Sequence, residues 1–254
     1  CIIPFLIKFI SSNVEENVCF IEEITKILIC LSQKTQFTDN LENIEQIITF
    51  GQLILGNCQQ SNAISCIFYL FASVLQVVKQ NSDQFAQFTI CNILRLIENS
   101  VVDSTYLSSL YLLSTCILVD SNLVIPLLNE TIISFVLDHF DVLNDVDYTK
   151  IKIMFIAFSI LSRYDNFVFY RCAIAFLHIF NNNLMQSDEN TGYMNTDFAY
   201  HEEQFEILDI SFPFDDENYE NFVVELFQNQ VFYQQLPKEE QDFLQSMCKY
   251  DLTK

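Results

Sequence analysis

Apolar residues along this chain follow a helical pattern that recurs at a nearly constant distance. Four apolar blocks, ITKILICL, FYLFASVL, YLLSTCIL and MFIAFSIL, end at Leu31, Leu75, Leu118 and Leu161. Their spacings of 44, 43 and 43 residues match the length of a helix pair with its turns. The spacing predicts an all-α, HEAT- or armadillo-like α-solenoid, a right-handed superhelix of antiparallel helix pairs. Generic irregular helical packing is the alternative.

Polar breaks between the apolar segments predict where the first helices begin and end. Asn13 is a candidate N-cap, since its side chain can accept a hydrogen bond from the first turn, and the helix should run to about Gln33. A second helix is expected over about 41–55. Gly56 and Asn57 follow it and favour a left-handed end.

The later helices are expected from the same pattern. Asp103 or Ser104 should cap the fifth helix, and Pro126 should start or kink the next one, which continues to about Phe140. The remaining helices are predicted over about 62–80, 84–98, 147–162 and 167–184. Segments such as IFYLFASVLQVV are apolar on all sides, which predicts that they lie between layers of helices. Only three glycines and four prolines are present, too few for the tight turns of an all-β domain.

The charge composition restricts the classes of binding partner that we expect. Twelve Lys and Arg residues stand against 33 Asp and Glu residues, a formal net charge of −21. This charge argues against direct binding to nucleic acid or anionic lipid and favours basic partners. It equally suits an apolar chain that uses charge only to stay soluble.

The number and spacing of the cysteines indicate a reducing cellular compartment. Nine are scattered through the chain with no CxxC pair, as expected of small core residues in the reducing cytosol or nucleus. The chain begins at Cys1 inside an apolar segment without a charged leader, so we interpret it as part of a longer protein. Membrane insertion through segments near 63–78 and 105–128 is a further hypothesis, weakened by the polar stretch GNCQQSN and by serines within the first segment.

The sequence contains no recognisable catalytic or cofactor-binding motif. Gly51 and Gly56 have the outer spacing of a P-loop, but Asn57 and Cys58 stand where phosphate and magnesium need Lys and Ser or Thr. His139 lacks partners at the helical spacing that a metal site requires. Cys172 and His178 are six residues apart, which is poor geometry for a nucleophile and its base. We expect no enzyme activity, no metal and no cofactor.

The repeat pattern breaks after about Leu184. Residues 185–216 are interpreted as an acidic loop with interleaved aromatic residues, which either serves as a solvated spacer or docks on the solenoid or a partner. Helical patterning resumes over 217–254, where Pro237 begins a last helix. The candidate binding residues are the acids of this region: Asp188, Glu189, Asp197, Glu202, Glu203, Glu206, Asp209, Asp215, Asp216, Glu217 and Glu220.

The order of these C-terminal pieces resembles the importin-β superfamily, specifically the importin-7/importin-8 group. The pair KIMFIAFSILSRYDN and RCAIAFLHIFNNNL resembles the group's last regular HEAT repeat. QFEILD lies in an acidic insertion as the group's YLEIL segment does, and DDENYENFVVELFQNQVFYQQLPKEEQDFLQSM is similar to its closing stretch. Upstream, STYLSSLYLLSTCILVDSNLVIPLLNET is similar in spacing to the preceding repeat.

The resemblance implies a nuclear transport receptor. Residues 1–184 would be HEAT-like repeats, 185–216 the acidic loop, and 217–254 helices that pack back on the solenoid. The partners implied are basic cargo such as ribosomal proteins and histones, nuclear pore proteins, and the GTPase Ran through N-terminal repeats that this chain lacks. The protein would shuttle between cytoplasm and nucleus. The alternative is a helical-repeat scaffold of a stable cytoplasmic complex without transport activity.

Overall fold

The computed structural model of the chain describes residues 3–32, 41–78, 82–143, 148–164, 166–189 and 219–251. Within these ranges the ordered elements are helices, and no strand occurs among them. The predicted all-α class is therefore confirmed. The helices form two compact units, Cys1–Leu127 and Leu128–Lys254.

The first unit is built from helices whose bounds follow the predicted pattern closely. They are α1 (Ile3–Ser12), α2 (Val14–Asn17), α3 (Ile21–Ser32), α4 (Leu41–Asn57), α5 (Ser61–Val78), α6 (Ser82–Asn99) and α7 (Thr105–Val124). Short 3₁₀ turns lie at Val18–Phe20 and Ile125–Leu127. The Asn13 side chain accepts a hydrogen bond from the Glu16 amide at 3.4 Å, so the predicted N-cap is confirmed. The 3₁₀ turn interrupts the single helix expected after it, and Pro126 lies in the second 3₁₀ turn.

Helices α3, α5 and α7 contain the first three recurring apolar blocks, and they pack side by side. Helix α4 packs on α5, and α6 packs on α7. The interior is dense in aromatic rings, with Phe68, Phe71, Phe85 and Tyr106 almost fully buried. Phe71 stacks on Phe85 with ring centroids 4.7 Å apart. The expectation that the apolar helix α5 lies between others is therefore confirmed.

The two glycines of α4 have different surroundings. A Cβ atom added at Gly51 would lie 2.2 Å from Cζ of Phe71, so the absent side chain lets α4 approach α5 closely. A Cβ at Gly56 would meet nothing within 4 Å. The predicted left-handed end at Gly56 and Asn57 is wrong. Among the described residues no glycine has positive φ, and Asn57 instead donates its amide Nδ2 to the Leu53 carbonyl at 2.8 Å within the helix.

One aspartate caps the start of α7, and another lies at a kink near its end. At its start, Asp103 Oδ1 accepts the Thr105 amide hydrogen at 2.8 Å, whereas Ser104 makes no side-chain cap bond. Asp103 is therefore the capping residue of the two candidates. Near the other end, Asp120 has φ −156° and ψ 92°, which kinks the helix one residue beyond its predicted end at about Val119.

The second unit contains the fourth apolar block and the C-terminal helices. Its helices are α8 (Glu130–Asp138), α9 (Tyr148–Leu161), α10 (Phe167–Glu189), α11 (Tyr219–Gln228), α12 (Gln230–Tyr233) and α13 (Lys238–Asp251), with a 3₁₀ turn at Phe140–Leu143. Helices α9 and α10 pack against each other, and α11 contacts both α9 and α13. Phe158 and Phe176 meet in the α9–α10 interface with ring centroids 4.8 Å apart.

Candidate functional site

The structure brings part of the predicted acidic segment into helices. Helix α10 continues to Glu189, so Asp188 and Glu189 lie in its last turn and the loop predicted from 185 begins later. Glu220 lies in the first turn of α11. The other eight predicted acids lie outside the described residues: Asp197, Glu202, Glu203, Glu206, Asp209, Asp215, Asp216 and Glu217. The segment thus leaves from the end of α10 and returns at the start of α11.

An arginine links α11 to the end of α9. Arg163 donates from Nε and Nη2 to the two carboxylate oxygens of Glu225, at 2.9 and 3.0 Å. Its guanidinium also lies 5.3 Å from the ring centroid of Phe222. Two parallel bonds fix the orientation of both partners. This pair therefore sets the position of α11 on the preceding helix pair.

A buried tyrosine makes the second link between these elements. Tyr170 of α10 is fully buried, and its hydroxyl donates to the Leu226 carbonyl at 2.8 Å. Burial raises the pKa of Tyr170, so the hydroxyl keeps its proton at neutral pH. Its ring also contacts Phe232 of α12 at 5.5 Å between centroids. The start of α10 therefore packs against both α11 and α12.

Helix α13 is held on α10 by a charge pair and a ring stack. Arg171 Nη2 lies 3.5 Å from Glu240 Oε1. The rings of His178 and Phe243 stack with centroids 3.5 Å apart. Burial lowers the pKa of His178, because the charged imidazolium loses hydration there. His178 is thus a packing residue, as its place in an apolar helix suggests.

The cysteine considered as a nucleophile lies in α10, and the histidine considered as a metal ligand directly follows α8. Cys172 is fully buried in the described structure, and burial raises the pKa of its thiol strongly. His139, the other histidine considered, places Nδ1 2.8 Å from the Phe135 carbonyl. Among the described residues, no three His, Cys, Asp or Glu side chains lie close enough together to hold a metal ion.

A polar junction, which sequence reasoning missed, ties the starts of α5 and α7 to α6 in the first unit. Asp103 Oδ2 accepts from Ser61 Oγ at 2.8 Å and from Arg95 Nη2 at 3.1 Å. Burial by itself would raise the pKa of this carboxyl, but the hydrogen bonds from Thr105, Ser61 and Arg95 outweigh it and lower the pKa to about 2. Ser61 lies 42 residues from Asp103, so no short motif predicts the whole cluster.

The polar contacts of this junction extend inward through buried side chains. Asn92 is buried and donates from Nδ2 to Thr105 and Ser109, each at 2.8 Å. Ser65 donates to the Ser104 carbonyl at 2.8 Å. Buried polar atoms are costly unless they are hydrogen-bonded. The bonds therefore join α5, α6 and α7 in one relative arrangement.

A pocket of about 610 Å³ lies beside this junction, between the end of α4 and helices α5 and α6. Its apolar wall comes from Leu55, Ile64, Phe68 and Phe88. The end of α4, the turn after it and the polar side of α6 complete it with Gly56, Asn57, Cys58, Gln59, Cys91, Asn92 and Arg95. The volume is typical of small-molecule pockets.

Within the described part of the chain, two helical segments are long and apolar enough to cross a membrane. They are Ser61–Val78 and Thr105–Leu127, and 61% and 50% of their apolar windows are buried inside the protein. The core helix of a soluble protein satisfies the same length and composition criteria, so these two segments are weak evidence for a membrane protein.

In comparisons with known proteins, no protein-family model, curated protein or solved structure matches this chain.

Proposed function

We propose that this chain is a HEAT-type α-solenoid that forms the C-terminal part of an importin-like nuclear transport receptor and binds basic protein cargo. The observation that carries the repeat architecture is the side-by-side packing of α3, α5 and α7, the helices of successive apolar blocks. In a solenoid each repeat contacts its neighbours, and equivalent helices form one layer.

Hydrogen bonds between neighbouring helices of this layer, at or close to one sequence period, support this architecture. Ser108 Oγ donates to Ser65 Oγ at 3.2 Å across 43 residues, one full sequence period. Ser32 and Ser73 place their hydroxyl oxygens 3.3 Å apart across 41 residues. Contacts at one period are expected when each helix pair stacks on the next. They favour stacked repeats over irregular packing.

The charge distribution supports a basic partner. The sequence holds three arginines, and each is paired with a carboxylate: Arg95 with Asp103, Arg163 with Glu225, and Arg171 with Glu240. The arginines therefore add little net positive field against the remaining acids. An excess of exposed carboxylates attracts a Lys- and Arg-rich protein through many weak contacts, each worth about 0–1 kcal/mol and weakened by salt.

Binding to a basic protein tests the proposal directly. Fluorescence anisotropy with a labelled core histone should show an affinity that falls at least about tenfold between 50 and 200 mM salt, because several exposed ion pairs form at once. Replacing six acids of the segment by their amides should weaken binding at least about tenfold at the lower salt concentration. The six are Asp197, Glu202, Glu203, Glu206, Asp209 and Asp215.

A matched variant separates the segment from general charge attraction. It neutralises six exposed acids elsewhere, namely Glu16, Glu45, Asp83, Glu98, Asp138 and Glu239, and should weaken binding less than about threefold. An equal loss in both variants would contradict a specific role for the segment. Absence of histone binding at low salt would overturn basic-cargo recognition altogether.

Transport itself requires the complete receptor. In the proposal, Ran acts through N-terminal repeats, pore proteins contact the solenoid, and the protein shuttles between cytoplasm and nucleus. Cargo release from the full-length protein by Ran-GTP would support this role. A full-length protein that stays in the cytoplasm and does not respond to Ran-GTP would instead favour a helical-repeat scaffold.

A further inference from the structure

The pocket beside the polar junction in the first unit has the composition of a ligand site. Its volume is about 610 Å³, within the range of pockets that hold small molecules. Phe68 is almost fully buried at its floor, and Phe88 of α6 and Leu55 of α4 are half-buried. These side chains offer apolar contact to a ligand body.

One charged group of the pocket wall is held in a fixed orientation. Arg95 donates from Nε to Asn92 Oδ1 at 3.1 Å and from Nη2 to Asp103 Oδ2 at 3.1 Å. Its Nη2 also lies 3.2 Å from Thr105 Oγ1. Because the guanidinium is rigid and planar, these contacts fix its third nitrogen as well.

That third nitrogen is available to a ligand. Within the described part of the chain, Arg95 Nη1 makes no hydrogen bond, and 42% of the side chain is exposed. A pre-oriented guanidinium binds a carboxylate more strongly than a neutral acceptor. Arg95 loses little side-chain entropy on binding a ligand, because its guanidinium is already held in one orientation.

Apart from its pairing with Asp103, Arg95 meets no competing carboxylate among the described lining residues of the pocket. Among the residues that the structure describes, no Asp or Glu lines the pocket, although the chain has 33 such residues. The nearby carboxylate of Asp103 already accepts hydrogen bonds from Ser61, Thr105 and Arg95. Its low pKa of about 2 agrees with a well-compensated negative charge.

We propose that this pocket binds a small ligand with a carboxylate on a largely apolar body. The carboxylate accepts a hydrogen bond from Arg95 Nη1, and the apolar body lies against Ile64, Phe68 and Phe88.

A matched pair of probes tests the requirement for the carboxylate. 2-Naphthylacetate and its neutral amide, 2-naphthylacetamide, have the same apolar body, and their affinities can be measured by titration with protein-observed NMR. The acid should bind at least about fivefold more tightly than the amide, in keeping with a charge-assisted hydrogen bond. Equal affinity of the two probes, or no saturable binding of the acid at millimolar concentration, would overturn the proposal.

Gly56 provides a way to fill the pocket. A Cβ atom built on Gly56 meets nothing within 4 Å, and Gly56 lines the pocket, so Gly56→Phe should place a ring in the pocket and weaken 2-naphthylacetate at least about tenfold. Gln52→Phe, at an exposed position of the same helix outside the pocket lining, is the matched control and should leave the affinity within about twofold. Arg95→Gln should remove the preference for the acid over the amide, a ratio that a change in stability alone would not alter.

Thiol protection gives a second measurement on the unmodified protein. Cys58 and Cys91 line the pocket, whereas Cys19 is exposed elsewhere. Saturating 2-naphthylacetate should slow alkylation of Cys58 and Cys91 at least about threefold, because the ligand covers them, and leave Cys19 unchanged. Equal rates with and without the acid at all three cysteines would contradict the site, even if Gly56→Phe failed to fold.

Discussion

Arg163 and Glu225 lie 62 residues apart and meet in a two-pronged ion pair between the end of α9 and α11. The sequence between them contains α10 and the whole acidic segment. Because α10 ends at Glu189 and α11 begins at Tyr219, this pair helps to determine where the segment returns to the folded unit. Its strength is therefore relevant to how the C-terminal helices are held.

A double-mutant cycle measures this ion pair. Both side chains are about half exposed, so solvent screens their attraction and we expect a coupling energy of roughly 0.5–1 kcal/mol between Arg163→Ala and Glu225→Ala. Urea unfolding of the wild type, both single variants and the double variant gives this value. The coupling energy should decrease in 0.5 M salt. A value near zero at low salt would show that the two side chains lie close together without stabilising the fold.

The Tyr170 hydroxyl should be worth more than the surface pair. Tyr170→Phe leaves the Leu226 carbonyl without its buried donor, and we expect a loss of about 1–2 kcal/mol in the free energy of unfolding. Tyr233→Phe is the matched control, because its hydroxyl bond to the Gln241 carbonyl is longer, 3.2 Å, and only partly buried. Equal losses in the two variants would argue against a special role for the buried bond.

The glycines of α4 give opposite predictions for the same substitution. Gly51→Ala forces a Cβ atom into the ring of Phe71, so we expect destabilisation of about 1–3 kcal/mol. Gly56→Ala meets open space and should be neutral or stabilising by up to about 1 kcal/mol, since alanine favours the helix. Thermal unfolding followed by circular dichroism compares them. A neutral Gly51→Ala would mean that α4 and α5 separate easily.

The stability of the first unit should fall in acid because of Asp103. Its pKa of about 2 in the folded state lies below the ordinary value of 3.8. Such a group stabilises the fold fully above its unfolded-state pKa and loses that effect as pH falls through its folded-state pKa. We expect a loss of roughly 1–2 kcal/mol between about pH 5 and pH 2. Asp103→Asn should lower stability at pH 7 and flatten this dependence in urea titrations; an unchanged slope would contradict the assignment.

Local sequence determined the helical elements of this protein. Periodic apolar residues predicted the helices α4 to α7, α9 and α10 to within a few residues, apart from the longer C-terminal end of α10. Asn13 was identified as an N-cap because a side-chain amide next to a helix start acts on neighbours three residues away. The acidic segment remains a prediction, since most of its acids lie outside the described residues.

The tertiary structure decided which helices contact each other and through which residues. Glycine permits a left-handed helix end without requiring one, so Gly56 continues α4, while the packing of Phe71 makes Gly51 necessary. Arg163 pairs with Glu225 across 62 residues. Arg95 is oriented by Asp103 and Thr105, which lie only 8 and 10 residues away but beyond the turn that follows its own helix. A helical period specifies which face of a helix is apolar, but the partner of that face is chosen by complementary packing in three dimensions.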